Sequence, residues 1–210
     1  MPKLNLSVRP LGRGKIKGTW DTGVEYGEAE EVLTSLLKEL RKKKGDNNEK
    51  RFVKAAIVLT QFRNGSRISE AIEAMQKFAK GEGIMEIQEG VKAVEVRVRK
   101  RKDGKARIMI LPKEITNEDL LIIRRHIDKM YPELITMFTK KLLKTNTHGF
   151  RHSWTTFQAG RGVSPAIIAT AQGRSTLDSL LRYIQRKAAE KMLVESVLLS
   201  NKLVKVKKEE

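Results

Sequence analysis

The chain has 210 residues, no cysteine and a formal net charge of +18, so disulfides, thiolate metal sites and cysteine nucleophiles are excluded. Its apolar share of 40% is enough for a core, but no run approaches the ~18 residues of a membrane span and no N-terminal stretch reads as a signal peptide. The charge excess calls for a polyanion, and nucleic acid fits better than an anionic membrane, because neutralised phosphates release counterions and no segment has the basic amphipathic pattern of a membrane-surface helix.

Residues 1–27 are rich in glycine and charge and read as an irregular arm. From Glu28 to about Lys44, Val32, Leu33, Leu36, Leu37 and Leu40 recur at helical spacing. "KKKGDNNEK" interrupts that pattern, and "FVKAAIVLTQF", Phe52 to Phe62, reads as a buried helix. "RNGS" is a turn, after which Ser66 is placed to cap a helix running to about Lys80, with Ile68, Ala71, Ile72 and Met75 as its apolar stripe. Between residues 84 and 112 the period falls to two: "AVEVRVRK" alternates apolar and charged side chains, and "KARIMILP" follows the turn dipeptide Asp103-Gly104. This predicts an antiparallel hairpin with a basic tip. Helical patterns resume at Asn117 and continue to the C-terminus with short Gly and Pro breaks. The expected class is therefore mainly α with a small antiparallel β-sheet, an α+β arrangement.

Three histidines and three tyrosines occur in the whole chain, yet His148, His152 and Tyr183 fall in two stretches, "THGFRHSWTTFQAGRG" and "QGRSTLDSLLRYI", together with Arg151, Arg174 and Arg182. On a helix starting near Thr147, His148 and Arg151 share a face. Taken alone, such a pair is commonly an ordinary helix N-terminus. Arg67 follows a turn and opens its own helix, where it could equally be a surface charge or pair with Glu70. Two guanidinium groups suit a phosphodiester reaction, since each planar fork donates to non-bridging oxygens and keeps its proton. The motif stretches contain almost no carboxylates for metal-assisted water, and no "GxxxxGK[ST]" loop is present. Tyr183 is left as a nucleophile, or else as a packed aromatic beside Leu180, Leu181 and Ile184.

The ordered set "GSRISE", "HGFRHSWTTF" and "QGRSTLDSLLRYI" resembles the tyrosine recombinase (phage-integrase) catalytic domain over about residues 28–200. Arg151 and Arg174 are 23 residues apart, and Tyr183 follows nine residues later; both spacings match the family's. The resemblance implies that Arg67 and Arg151 are the family's two arginines, His148 its histidine that handles the tyrosine proton, and Tyr183 its nucleophile. Its general-acid lysine sits at a hairpin tip, which implies Lys102, with Lys100 and Lys105 as alternatives. Glu70 matches an acidic position that supports the site from behind. Where the family usually has "LGH", this chain has "QGR", so Arg174 replaces a histidine; arginine can bind a phosphate oxygen but cannot shuttle a proton at neutral pH. Within the family, the basic, cysteine-free composition points to the archaeal virus and plasmid integrases.

The resemblance further implies a site-specific DNA recombinase acting through a 3′-phosphotyrosyl intermediate, with no metal, no cofactor and no ATP. Its partners would be double-stranded DNA at a specific attachment site and other protomers in a synaptic tetramer, in the cytoplasm of a host cell. A type IB topoisomerase-like enzyme and a DNA-binding regulator with an inactive site are the competing readings. The expected organisation is an arm (1–27), a catalytic domain (28–190) and a C-terminal helix with a basic tail (191–210). Arg67 lies too early to leave room for the family's N-terminal DNA-clasping domain, so the chain is expected to be a catalytic domain, natural or cut from a longer protein.

Overall fold

A computed structural model of the chain describes residues 24–98 and 106–174, together with Leu180. Helix α1 spans Tyr26–Arg41 and buries Ala29, Leu33, Leu36, Leu37 and Leu40, the stripe that its spacing predicts; the Glu25 carboxylate caps it by accepting from Glu28 N at 2.8 Å. Helix α2, Asp46–Asn64, starts six residues before its apolar run. Every residue of α2 from Phe52 to Phe62 except the half-buried Lys54 is buried, and α1 and the later helices pack about this central rod. Such an environment accounts for a run with no polar face. Helix α3, Ile68–Lys80, buries Ala71, Ile72, Met75 and Phe78.

Three antiparallel strands follow in the order β1 (Met85–Glu86), β2 (Lys92–Arg97) and β3 (Ala106–Ile110). The hairpin is thus present, and β1 is a short edge strand that its sequence did not announce. Val94 pairs with Met109 and Val96 with Arg107, and all four side chains face the core side of the sheet. In β3 the usual polarity is inverted: Arg107 and Met109 point inward, while Ile108 and Ile110 are exposed.

Helix α4, Asn117–His126, begins at Thr116 with a reciprocal cap: Thr116 Oγ1 accepts from Asp119 N at 3.3 Å, and the Asp119 carboxylate accepts from Thr116 N at 2.8 Å. Arg41 Nε and Nη2 grip that buried carboxylate at 2.9 and 2.6 Å, fastening the end of α1 to the start of α4. Helices α5 (Pro132–Leu143), α6 (Thr147–Gly160) and α7 (Pro165–Ala171) complete the described chain. Asn146 caps α6 through its Oδ1, which accepts from Gly149 N at 2.8 Å. Trp154, Ile168, Ala169 and Leu180 form a small second apolar cluster that seats α7 on α6. No helix among the described residues is long and apolar enough to cross a membrane.

Candidate active site

The last carbonyls of a helix have no partner within it, and where a helix ends in the interior something else must satisfy them. Helix α2 ends in this way. The Arg63 carbonyl accepts from Trp154 Nε1 at 3.1 Å, that of Asn64 from Arg107 Nη2 at 2.7 Å, that of Gly65 from Arg151 Nη1 at 3.1 Å, and that of Ser66 from Gln61 Nε2 at 3.2 Å. Four successive carbonyls are therefore taken by side chains of α6, β3, α6 again and α2 itself. Two of the donors are guanidinium groups, which the partial negative charge of a helix C-terminus favours.

Gly65 makes the turn possible. Its φ is +55°, and Ser66 N and Gly65 N fold back to the carbonyls of Gln61 (3.1 Å) and Phe62 (3.4 Å), the paired bonds of a Schellman ending. A Cβ on Gly65 would lie 2.5 Å from the Trp154 ring. Gly65→Ala is therefore expected to lower the urea stability of the fold by about 1–3 kcal/mol, through a left-handed alanine and a displaced indole. An unchanged unfolding midpoint would show that the turn relaxes freely.

The turn delivers Arg67 to the N-cap position of α3. Ser66, which the sequence offers as the cap, is one residue too early: its hydroxyl is buried and has no hydrogen-bond partner among the described residues. The cap bond comes from the other side, as Glu70 Oε2 accepts from Arg67 N at 3.0 Å. Glu70 Oε1 also accepts from Arg67 Nη1 at 2.8 Å, while Oε2 lies 3.4 Å from Arg107 Nη1. The Arg67–Glu70 pair is no surface salt bridge, since the carboxylate is fully buried and shared with a second arginine.

Arg151 is buried in α6, with Nη1 on Gly65 O and Nη2 on Gln172 O at 3.0 Å. Its guanidinium is thus held between the C-terminal turns of α2 and α7. Burial first, then the charges of Arg174 and Arg67, push its pKa down to about 9, so it stays protonated at neutral pH. Burial and the charge of Arg67 lower Arg174 as well, and burial lowers Arg107. Four guanidinium groups gather here, and among the described residues Glu70 is the carboxylate that acts on them. With that excess of positive charge among the described residues, the cluster can donate to an anion with several oxygens.

Arg174 enters the cluster through the turn that ends α7. Gly173 N and Arg174 N return to the carbonyls of Thr170 and Ala169, each at 2.9 Å, with Gly173 at φ +60°. The close approach that a glycine permits here is to the sheet: a Cβ on Gly173 would stand 2.8 Å from Val98 Cγ2, at the base of the hairpin. Among the described residues no group of three or more His, Asp or Glu side chains could hold a metal ion.

No family model matches the chain. It is 38% identical over 191 residues to a protein of Acidianus two-tailed virus named as an integrase, an alignment covering 89% of this chain and 72% of that relative. The chain belongs to the family of that viral integrase. An uncharacterized protein of Methanocaldococcus jannaschii is 30% identical over 210 residues, covering 90% of this integrase and 94% of the relative. Crystal structures of the XerH site-specific recombinase bound to its difH substrate have the same fold. The pre-cleavage complex matches with a TM-score of 0.51 at 16% identity over 74% of this chain, and the post-cleavage complex with 0.50 at 15% over 73%. The integrase spans about half the length of those recombinase chains (48% and 47%).

Of the residues singled out in the sequence of this integrase, Arg67, Glu70, Arg151 and Arg174 come together. His148 lies in the first turn of α6, exposed, with its ring edge-on to that of His152 at 4.4 Å between centroids. His148 and Arg151 share a side of the helix, but Arg151 points into the protein and His148 outward. Gln61 Nε2 donates to Thr147 O at 2.9 Å as well as to Ser66 O, tying the start of the histidine-bearing helix to the Arg67 turn. Lys102, with its alternatives Lys100 and Lys105, and Tyr183 lie outside the described residues. Two members of the cluster were missed from sequence: Arg107, which reads as one more charge near a basic tip, and Gln172. The available signal for Arg107 was the alternation of β3, in which it shares parity with Met109.

Proposed function

We propose that the protein is a site-specific DNA recombinase that breaks and rejoins strands through Tyr183. The observation that carries this reading is the convergence of Arg67, Arg151 and Arg174, a concentration of fixed N–H donors suited to a phosphodiester. The integrase name of the viral relative and the substrate-bound titles of the structural neighbours support DNA as the partner.

In this mechanism the three guanidinium groups take the non-bridging oxygens of the scissile phosphate, with Glu70 holding Arg67 in place and Arg107 bracing Glu70. A phenol has a pKa near ~10 in water; the surrounding cations favour the phenolate, and His148 accepts its proton. The Tyr183 oxygen forms a bond to phosphorus as the P–O5′ bond breaks. The leaving 5′-oxygen takes a proton from Lys102. The 3′-phosphotyrosyl linkage keeps the energy of the broken bond, so a 5′-hydroxyl of another strand can reverse the step. Exchange between two duplexes requires protomers assembled on DNA, and a synaptic tetramer is the arrangement proposed.

The test is incubation with a duplex nicked near the cleavage site, so that the short 5′-hydroxyl fragment diffuses away and the intermediate is trapped. A covalent protein–DNA band is expected in EDTA as well as in Mg²⁺, because the motif stretches hold almost no carboxylates for a catalytic cation. A protein that binds the duplex without ever forming the band is a regulator. Activity lost in EDTA and restored by Mg²⁺ marks a metal-dependent nuclease.

A further inference from the structure

We propose that Gln172 is the positioning residue that aims Arg174, so that the two act as one unit in the anion site. The proposal rests on the strand-transfer reading for its kinetic consequence, but its geometry stands apart from it. Gln172 is completely buried, and a buried carboxamide must place both ends on partners. Nε2 donates to Thr155 Oγ1 at 2.9 Å and to Arg151 O at 3.3 Å, while Oε1 accepts from Arg174 Nε at 2.6 Å.

Only one orientation of that amide is possible. Thr155 Oγ1 already donates to Arg151 O at 2.9 Å, so it can only accept from Gln172. Turning the amide over would set Oε1 against a carbonyl oxygen and NH₂ against a guanidinium N–H. Oε1 must therefore face Arg174. Side chains two apart on a helix do not meet; here they do, because Gly173 at φ +60° folds the chain back between them. The backbone is locked too, since Gln172 O accepts from Arg151 Nη2 at 3.0 Å. The neutrality of the anchor matters. A carboxylate in its place would hold Arg174 equally well but cancel the charge that an anion site needs.

The experiment is a cycle of wild type, Gln172→Leu, Arg174→Ala and the double variant, read by single-turnover adduct formation on the nicked duplex at saturating DNA. Arg174→Ala should lose about a hundredfold, the scale of one missing transition-state donor. Gln172→Leu should lose about ten- to a hundredfold, as a misaimed group does. The double variant should be no slower than Arg174→Ala alone. Losses that multiply, or a Gln172→Leu rate equal to wild type, overturn the proposal. Should Gln172→Leu fail to fold, Gln172→Met replaces it, with the same loss of about ten- to a hundredfold expected and a wild-type rate overturning the idea. A second readout needs no cleavage: the ¹⁵N cross-peak of Arg174 Nε–H, assigned by its absence in Arg174→Ala, should exchange slowly with water in wild type and rapidly in Gln172→Leu. A protected peak in a protein that forms no adduct sinks the strand-transfer reading and leaves the positioning intact. An unprotected peak in a protein that does form adducts sinks the positioning.

Discussion

Tyr183→Phe is expected to abolish the covalent DNA adduct while leaving duplex binding in a gel shift unchanged. The substitution removes one oxygen and keeps the ring, so phosphate contacts survive while the nucleophile does not. A loss of at least about 10⁴-fold is the scale on which enzymes respond to losing their nucleophile. The two other tyrosines are poor substitutes. Tyr26 is stacked between Phe62 and Phe157, with centroids 4.4 and 3.9 Å away, and burial raises its pKa despite a hydrogen bond with Arg63. Tyr131 stands exposed at the start of α5. Adduct that persists in Tyr183→Phe and vanishes in Tyr131→Phe would move the nucleophile to Tyr131.

The second large effect concerns Arg151, for which Arg151→Ala should damage both the fold and the reaction. Two opposing terms meet in stability. Removing a buried cation relieves repulsion from Arg174 and Arg67, but it strips the Gly65 and Gln172 carbonyls of their donor. An unmet buried acceptor costs about 1–3 kcal/mol, and two of them outweigh a repulsion already softened by Glu70 and two helix C-termini. The urea unfolding free energy should fall by about 2–5 kcal/mol, and single-turnover cleavage by about 10²–10³-fold. Arg151→Lys should restore little of either, because a single ammonium cannot reproduce a planar fork spanning two separate carbonyls. Full stability in Arg151→Ala would mean that water reaches those carbonyls.

Much of this architecture can be read directly from residue patterns. The α1 and α3 stripes appear in the helical spacing of Leu33, Leu36, Leu37 and Leu40 and of Ala71, Ile72 and Met75, because a helix that buries one face must repeat near every third or fourth residue. The hairpin is visible for the same reason at a period of two. Arg67, Arg151 and Arg174 could be matched by motif and spacing, and the structure does gather them. What patterns of this kind miss is a buried polar group whose partner is main chain. Arg107 breaks the rule that charges point outward from a sheet, and nothing local reveals that the Asn64 carbonyl, 43 residues earlier, receives it. Gln172 stands where an apolar residue would serve the helix equally well; two of its three side-chain partners, Thr155 and the Arg151 carbonyl, come within reach only once α6 and α7 are docked. Ser66 failed as a cap because chain direction at the turn depends on Gly65 and Trp154, which lie on different helices. Strand β1, at two residues, is too short to show a period.

The row of carbonyls at the end of α2 also sets a timetable for synthesis. Their donors lie far along the chain: 43 residues from Asn64 to Arg107, 86 from Gly65 to Arg151 and 91 from Arg63 to Trp154. Doubling a loop from the first separation to the second adds only about 0.6 kcal/mol of closure entropy, so distance hardly weakens the finished clasp. It does postpone it. At about 5–20 residues per second, the ribosome needs roughly 4–17 s to travel the 86 residues from Gly65 to Arg151. Throughout that interval the Arg67 turn exists without the guanidinium groups of α6 and the α7 turn. A chain still being made therefore lacks the assembled guanidinium cluster until its last third has folded.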